Sequence, residues 1–195
     1  YLKSLQADSE ASKQLLKELV TEESLRNEME LILQTDQKIS TPDIPNSTLN
    51  ILPESDTESI TEYFKQSLGA TLAYNDSAQQ YSTNLFAPES SSEAVRTLQQ
   101  RNIDLVRNLR GIPVPQEALQ YHKAQILAFE HYGNVLDGAM IATTNSDSIS
   151  WPDMYRNYVI INDEIETANT QLTTLDQKYA FSGELMQFFA ESSAT

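Results

Sequence analysis

Two stretches of this chain repeat residues at the spacing of a helix edge without a slip. After Pro115 come Leu119, His122, Ile126, Phe129, Gly133, Leu136 and Met140, alternately three and four residues apart. After Pro152 come Met154, Tyr158, Ile161, Ile165, Ala168, Leu172, Leu175 and Tyr179 in the same rhythm. An alternation of three and four stays close to the helical turn, so each set falls on one stripe of an α-helix. Joined by the polar connector 143–148, two such stripes are expected to pack antiparallel with left-handed bundle geometry. Burying each large apolar side chain contributes about 1.5–3 kcal/mol. Most of the stability is therefore expected in this hairpin.

The rest of the chain reads as helix with proline punctuation. Only five glycines occur, and no stretch alternates apolar and polar residues convincingly, which disfavours a sheet. A first helix is expected over residues 2–36, carrying Leu15, Leu19, Leu25, Met29 and Leu33. Its first half, rich in charge, reads as exposed or stalk-like. Pro42, Pro45 and Pro53 then disfavour helix over 39–54, an extended linker that Ile44, Leu49, Ile51 and Leu52 can pin to the surface. Ser55 with Glu58 reads as a capping box opening a helix with Ile60, Phe64, Leu68, Leu72, Ala78, Tyr81 and Leu85, stopped by Pro88. Ser90 with Glu93 opens another, with Val95, Leu98, Leu105 and Leu109. Gly111 is expected in the left-handed conformation at its end, with Pro113 blocking continuation. Pro115 reads as a first-turn proline. Beyond Tyr179, Phe181, Leu185, Phe188 and Phe189 form a last short helix or a continuation, with Ser182-Gly183 as the kink. The fold class is all-α, an antiparallel bundle of four to five helices. It divides into a helix at 1–38, a linker at 39–54 and a bundle domain at 55–195.

Charge narrows the partners. Thirteen Lys and Arg stand against 28 Asp and Glu, a net charge of −15. Binding a phosphate backbone requires concentrated cations, so a nucleic-acid partner is disfavoured, as are anionic lipid headgroups. The only balanced region holds Arg101, Arg107, Arg110 and Lys123. These read either as a solvated face paired with acidic neighbours or as a docking strip for an acidic partner. The chain has no cysteine, which removes disulfides, thiolate metal sites and cysteine nucleophiles together and leans toward an oxidising exterior. No apolar run is long enough to span a bilayer. A leader or membrane anchor ahead of Tyr1 is expected. Sequons occur at Asn46 and Asn75.

Chemistry is harder to find. His122 sits on an apolar stripe, where a buried imidazole needs a partner: a Tyr, Asn or carbonyl in the plain reading, a ligand or metal in the sharper one. The Glu-x-x-His signature of di-iron bundles is missing, since Leu119 precedes His122 and Ala128 precedes His131. Gly133, with Gly138 and Ala139 nearby, removes volume from the same helix. Close approach of a helix or of a large aromatic such as Tyr155 or Tyr158 explains that. So does a small ligand pocket lined by His122, Phe129, Gly133, Tyr158 and Ile161. Acidic groups such as Asp163, Glu164 and Glu166 read as a solvated face, because hydrolytic pairs need two acids in one cleft. Asn145-Ser146-Asp147 lacks the glycine and closing glutamate of a calcium loop. Neither a catalytic residue nor a cofactor is assigned, and enzyme activity ranks third among the readings. Nine tyrosines against one tryptophan suit interface or boundary positions.

The stretch Leu109-Arg110-Gly111-Ile112-Pro113-Val114-Pro115, followed by the helix bearing His122 and a second long helix, resembles uncharacterised exported helical proteins of minor bacterial lineages. The likeness covers residues 95–180, some of those proteins being linked to pilus or secretion machinery. It implies an extracytoplasmic placement and carries no functional residues across. The leading expectation is a non-enzymatic, extracytoplasmic domain that binds or scaffolds a protein partner, tethered upstream of Tyr1. A ligand-binding bundle with a pocket near His122 and Gly133 is the alternative.

Overall fold

The segment after the linker prolines carries its own structure. Asn46–Thr48 forms a 3-10 turn, and Ile51–Leu52 forms a short strand, β1. Helix α1 (Thr57–Gln79) follows, then α2 (Ser92–Gly111), strand β2 (Val114–Pro115), a 3-10 turn at Gln116–Ala118 and α3 (Leu119–Thr144). Helices α4 (Trp151–Tyr179) and α5 (Ser182–Ser192) complete the order. The computed structural model describes residues 43–79, 92–144 and 151–192. The expected helix at 1–38, the Ser90 cap, Pro88 and the 145–147 connector lie outside the described residues.

The four long helices run alternately up and down. Gln99 donates to Asp137 and Asn102 to the Phe129 carbonyl, which sets α2 antiparallel to α3. At one end of the α3–α4 pair Lys178 meets Glu117, and at the other Gly138 meets Met154, so these two are antiparallel as well. Tyr63 faces His122, and Thr71 faces Gln125. Helix α1 therefore runs parallel to α3. This is the all-α antiparallel bundle that the periodicity requires. No described helix is long and apolar enough to cross a membrane.

Burial follows the α3 stripe closely. Leu119, His122, Ile126 and Leu136 are buried, and the whole stretch 121–128 is enclosed. The α4 stripe is different. Only Met154, Ile160 and Leu175 are buried, while Tyr158, Ile161, Ile165, Ala168 and Leu172 are half-buried. Helix α4 packs principally on α3, and one neighbour cannot cover a stripe about 100° wide. The core instead centres on α1, α2 and α3, where Ile60, Tyr63, Phe64, Leu98, Leu109, Ile126 and Leu136 are enclosed together.

Local signals shifted where distant contacts intervened. The capping box is Asp56 with Ser59, not Ser55 with Glu58. The Ser59 amide donates to Asp56 Oδ1 at 2.8 Å, and the Asp56 amide donates to Ser59 Oγ at 3.0 Å. That arrangement holds the exposed Asp56 carboxyl below its usual range. Ser55 is instead a cross-tie: its Oγ accepts from the Glu117 amide, and its carbonyl accepts from the Tyr179 hydroxyl. Pro115 is the second residue of β2 and precedes the 3-10 turn, rather than opening α3. Gly111 is not left-handed. Among the described residues the one positive φ is that of Ala180, 51°, so the break before α5 falls there and not at Ser182-Gly183. The strands pair in parallel, Ile51 with Val114 and Leu52 with Pro115. Together with the buried Ile44, they fasten the segment ahead of α1 to the α2–α3 corner.

Candidate functional site

The α1 and α3 backbones stand apart, and large side chains fill the space between them. Tyr63 makes edge contacts with Phe64, Tyr121 and His122. Tyr74 meets Phe129 edge-on. A row of polar groups runs through this aromatic filling. The Tyr63 hydroxyl lies 3.1 Å from His122 Nδ1. One turn along, Thr71 Oγ1 donates to the Ser67 carbonyl and accepts from Gln125 Nε2 at 2.9 Å. Beyond it the Tyr74 hydroxyl lies near that of Tyr132. Each of Tyr63, Ser67, Thr71, His122 and Gln125 is buried.

Burial sets the protonation states. It lowers His122 to about 4, and the Arg110 cation adds to the shift. It also raises the Tyr63, Tyr74 and Tyr132 phenols above their ordinary range. At neutral pH the seam is therefore uncharged, a set of dipoles in a low-dielectric interior where every unmade bond is costly. His122 Nε2, Gln125 Oε1 and Asn102 Oδ1 are buried without a hydrogen-bond partner.

The five residues expected to line one pocket are spread out. His122 turns to Tyr63 on α1, and Phe129 turns to Tyr74 further along α1. Gly133 faces α2, where a Cβ would lie 3.0 Å from Asn102 Nδ2. Gly133 lies eleven positions after His122, about 16 Å along the axis. Tyr158 and Ile161 lie on α4, opposite the middle of α3, as the bond between His131 and Asn157 fixes. The plain reading of His122, a core imidazole held by a tyrosine, describes its geometry. The space left by Gly133 admits the Asn102 amide, not an aromatic ring. Gly138 makes room for the Met154 side chain.

Three of the four cations considered as a strip are neutralised by the chain itself. Arg107 pairs with Asp104, Arg110 with Glu130 at 2.5 Å, and Lys123 with Asp43 at 2.8 Å. Lys123 is buried, and Arg101 lies close enough to Tyr74 to lower its phenol. Lys65, Arg156 and Lys178 likewise meet Glu184, Asp153 and Glu117. Large apolar side chains are also open among the described residues. Met186 is 71% exposed and Phe188 40% exposed, both on α5, with Lys65 Nζ 5.4 Å above the Phe188 ring. Sequence reasoning passed over Met186 and the Ser67–Thr71 hydroxyls, although the helical spacing of Tyr63, Ser67, Thr71 and Tyr74 is a signal for the latter.

Among the described residues no group of three or more His, Asp or Glu is arranged to hold a metal ion. No protein-family model, curated protein or solved structure matches this chain.

Proposed function

We propose that this domain is a non-enzymatic protein-interaction or scaffold module, placed outside the cytoplasm. The observation that carries the reading is the outer face of α5, where Met186 and Phe188 remain open although neighbouring Phe181 and Leu185 are buried. Apolar side chains left open on an amphipathic helix suit a partner's apolar groups. The net charge of −15 and the acidic partners that Lys65, Arg107, Arg110, Lys123, Arg156 and Lys178 find within the chain suit a partner with basic groups around those apolar contacts.

The test is a photo-crosslinking residue at position 186 of the full protein in its own cells, with position 120 as an exposed control. An adduct specific to position 186, whose purified partner binds at least tenfold more weakly to Met186→Glu, supports the reading. Equal labelling at both positions, or unchanged affinity, ends it. Placement is checked by protease digestion of intact cells, where protection until lysis counts against an extracytoplasmic domain.

A second reading rests on His122 Nε2 and Gln125 Oε1, two buried polar atoms without partners in the α1–α3 seam. It makes the domain a ligand-binding bundle for a small neutral hydrogen-bonding molecule. Perturbation of the His122 ring resonances by such a compound, lost in His122→Phe, separates it from the first.

A further inference from the structure

The break between α4 and α5 spans two residues, Ala180 and Phe181, and the first is under strain. Ala180 has φ 51°, a left-handed conformation that is strained for a residue with a Cβ. Glycine is the residue that adopts it freely. The last turn of α4 holds the break: the Ala180 amide donates to the Asp176 carbonyl, and the Ser182 amide donates to Asp176 Oδ1 at 2.8 Å. Past the break, α5 folds back onto α1. Phe181 stacks on Phe64 with centroids 4.4 Å apart, Glu184 pairs with Lys65 at 2.6 Å, and Phe189 lies against Gly69.

The register of α4 nevertheless runs straight through that break. Its stripe reaches Leu175 and Tyr179, and the same alternation of four and three arrives next at Ser182, Met186 and Phe189. Met186 is the most exposed of the exposed large apolar residues. The folded-back segment instead buries Phe181 and Leu185 and sets Phe189 against Gly69, so of the apolar residues in the straight register Met186 is the one left exposed. Two helical registers therefore compete within one segment, and Ala180 decides between them.

We propose that α5 exchanges between two copies of this chain. Ala180 takes up helical φ, α4 and α5 become one continuous helix, and each α5 docks on the α1 of the other copy. The cradle for the arriving helix is already defined. Phe64, Lys65 and Gly69 receive Phe181, Glu184 and Phe189 from the second copy as they receive their own, so the packing broken inside each chain is rebuilt between the two. Strain at two hinges is released in addition, which makes exchange a low-cost route to a dimer.

The absence of cysteine makes the test direct. Purified Lys65→Cys and Glu184→Cys variants are mixed, refolded together at high concentration and treated with a short bismaleimide. Exchange yields a dimer whose cross-link, located by mass spectrometry, joins positions 65 and 184 of different chains. The double variant run dilute is expected to close within one chain. Ala180→Gly removes the strain and weakens the straight helix, so its dimerisation constant is expected to fall by about tenfold per hinge. A strictly monomeric mixture overturns the proposal, as does a dimer lacking the 65–184 link or a dimer fraction unchanged in Ala180→Gly. Because only the purified chain is used, failure here leaves the partner-binding reading standing, and failure of that reading leaves exchange untouched.

Discussion

The Tyr63 hydroxyl and His122 Nδ1 meet at 3.1 Å in the interior between two parallel helices, and neither residue has appreciable contact with solvent. The contact joins α1 to α3 through a titratable group, so part of the stability depends on pH. Above pH 6.5 the imidazole is neutral in both the folded and the unfolded chain, and this part is fully present. As pH falls below 6.5 the unfolded chain takes up its proton first, because burial holds the folded-state value at about 4. Stability is therefore lost between those two values and levels off below them, a total of about 3 kcal/mol. Urea midpoints across this range measure it. His122→Gln is expected to flatten the profile, and a variant that keeps the slope assigns it to other groups.

Phe64 is the centre of the aromatic cluster. It is fully buried, stacks on Phe181 and meets Tyr63 and Tyr121 edge-on. Phe64→Ala removes one ring that three others pack against and opens a cavity at the junction of α1, α3 and α5. The expected cost is about 3–5 kcal/mol in chemical denaturation. Phe188→Ala, four-tenths exposed, is expected to cost under about 1 kcal/mol. Comparable losses at the two positions would place the core elsewhere.

Gly133 and Gly138 lie on the same helix, and alanine is expected to act oppositely at them. Alanine favours a helix interior by about 1 kcal/mol over glycine. At Gly138 the new methyl meets the Met154 thioether at 3.1 Å, a flexible chain that can turn aside. Gly138→Ala is expected to be neutral or stabilising by up to about 1 kcal/mol. At Gly133 the methyl meets Asn102 Nδ2, which is buried and donates to the Phe129 carbonyl at 2.9 Å. Displacing that amide strands a buried donor and acceptor, about 1–3 kcal/mol. Gly133→Ala is therefore expected to be net destabilising by about 1 kcal/mol, and less so in an Asn102→Ala background. A double-mutant cycle read by thermal melting provides the measurement.

The sequence made the bundle legible, because Leu119, His122, Ile126 and Leu136 of the α3 stripe are buried, although Phe129, Gly133 and Met140 are half-buried. It misled about α4, whose equally regular stripe meets one main neighbour and stays half-open at Tyr158, Ile161 and Ile165. Periodicity reports which residues share a face, not how many helices cover it. The polar seam was hidden for a related reason. Ser67 and Thr71 look like solvent-facing residues of α1, and only the Gln125 amide arriving from α3 gives Thr71 its place in the interior. The pocket expected around His122 and Gly133 depended on proximity along one stripe. Two residues on one helix edge can face different neighbours, and these do.

The start of α1 shows most plainly how a distant contact chooses between two local signals, and it yields a last test. Ser55 and Asp56 are both good caps in isolation. Ser55 is drawn away because its carbonyl accepts the Tyr179 hydroxyl at 2.8 Å, 124 residues along the chain, while its Oγ accepts the Glu117 amide. Asp56 then takes the cap with Ser59 as its reciprocal partner. Asp56→Ala is accordingly expected to destabilise the fold more than Ser55→Ala, which loses one long bond and keeps the carbonyl contact. Tyr179→Phe removes the tie at its other end and is expected to cost about 1 kcal/mol. In the Tyr179→Phe background the gap between the two cap variants should narrow, because Ser55 is then freer to compete for the helix terminus. Equilibrium unfolding of the four variants measures this. A larger loss in Ser55→Ala than in Asp56→Ala would put the box where the sequence alone suggested it.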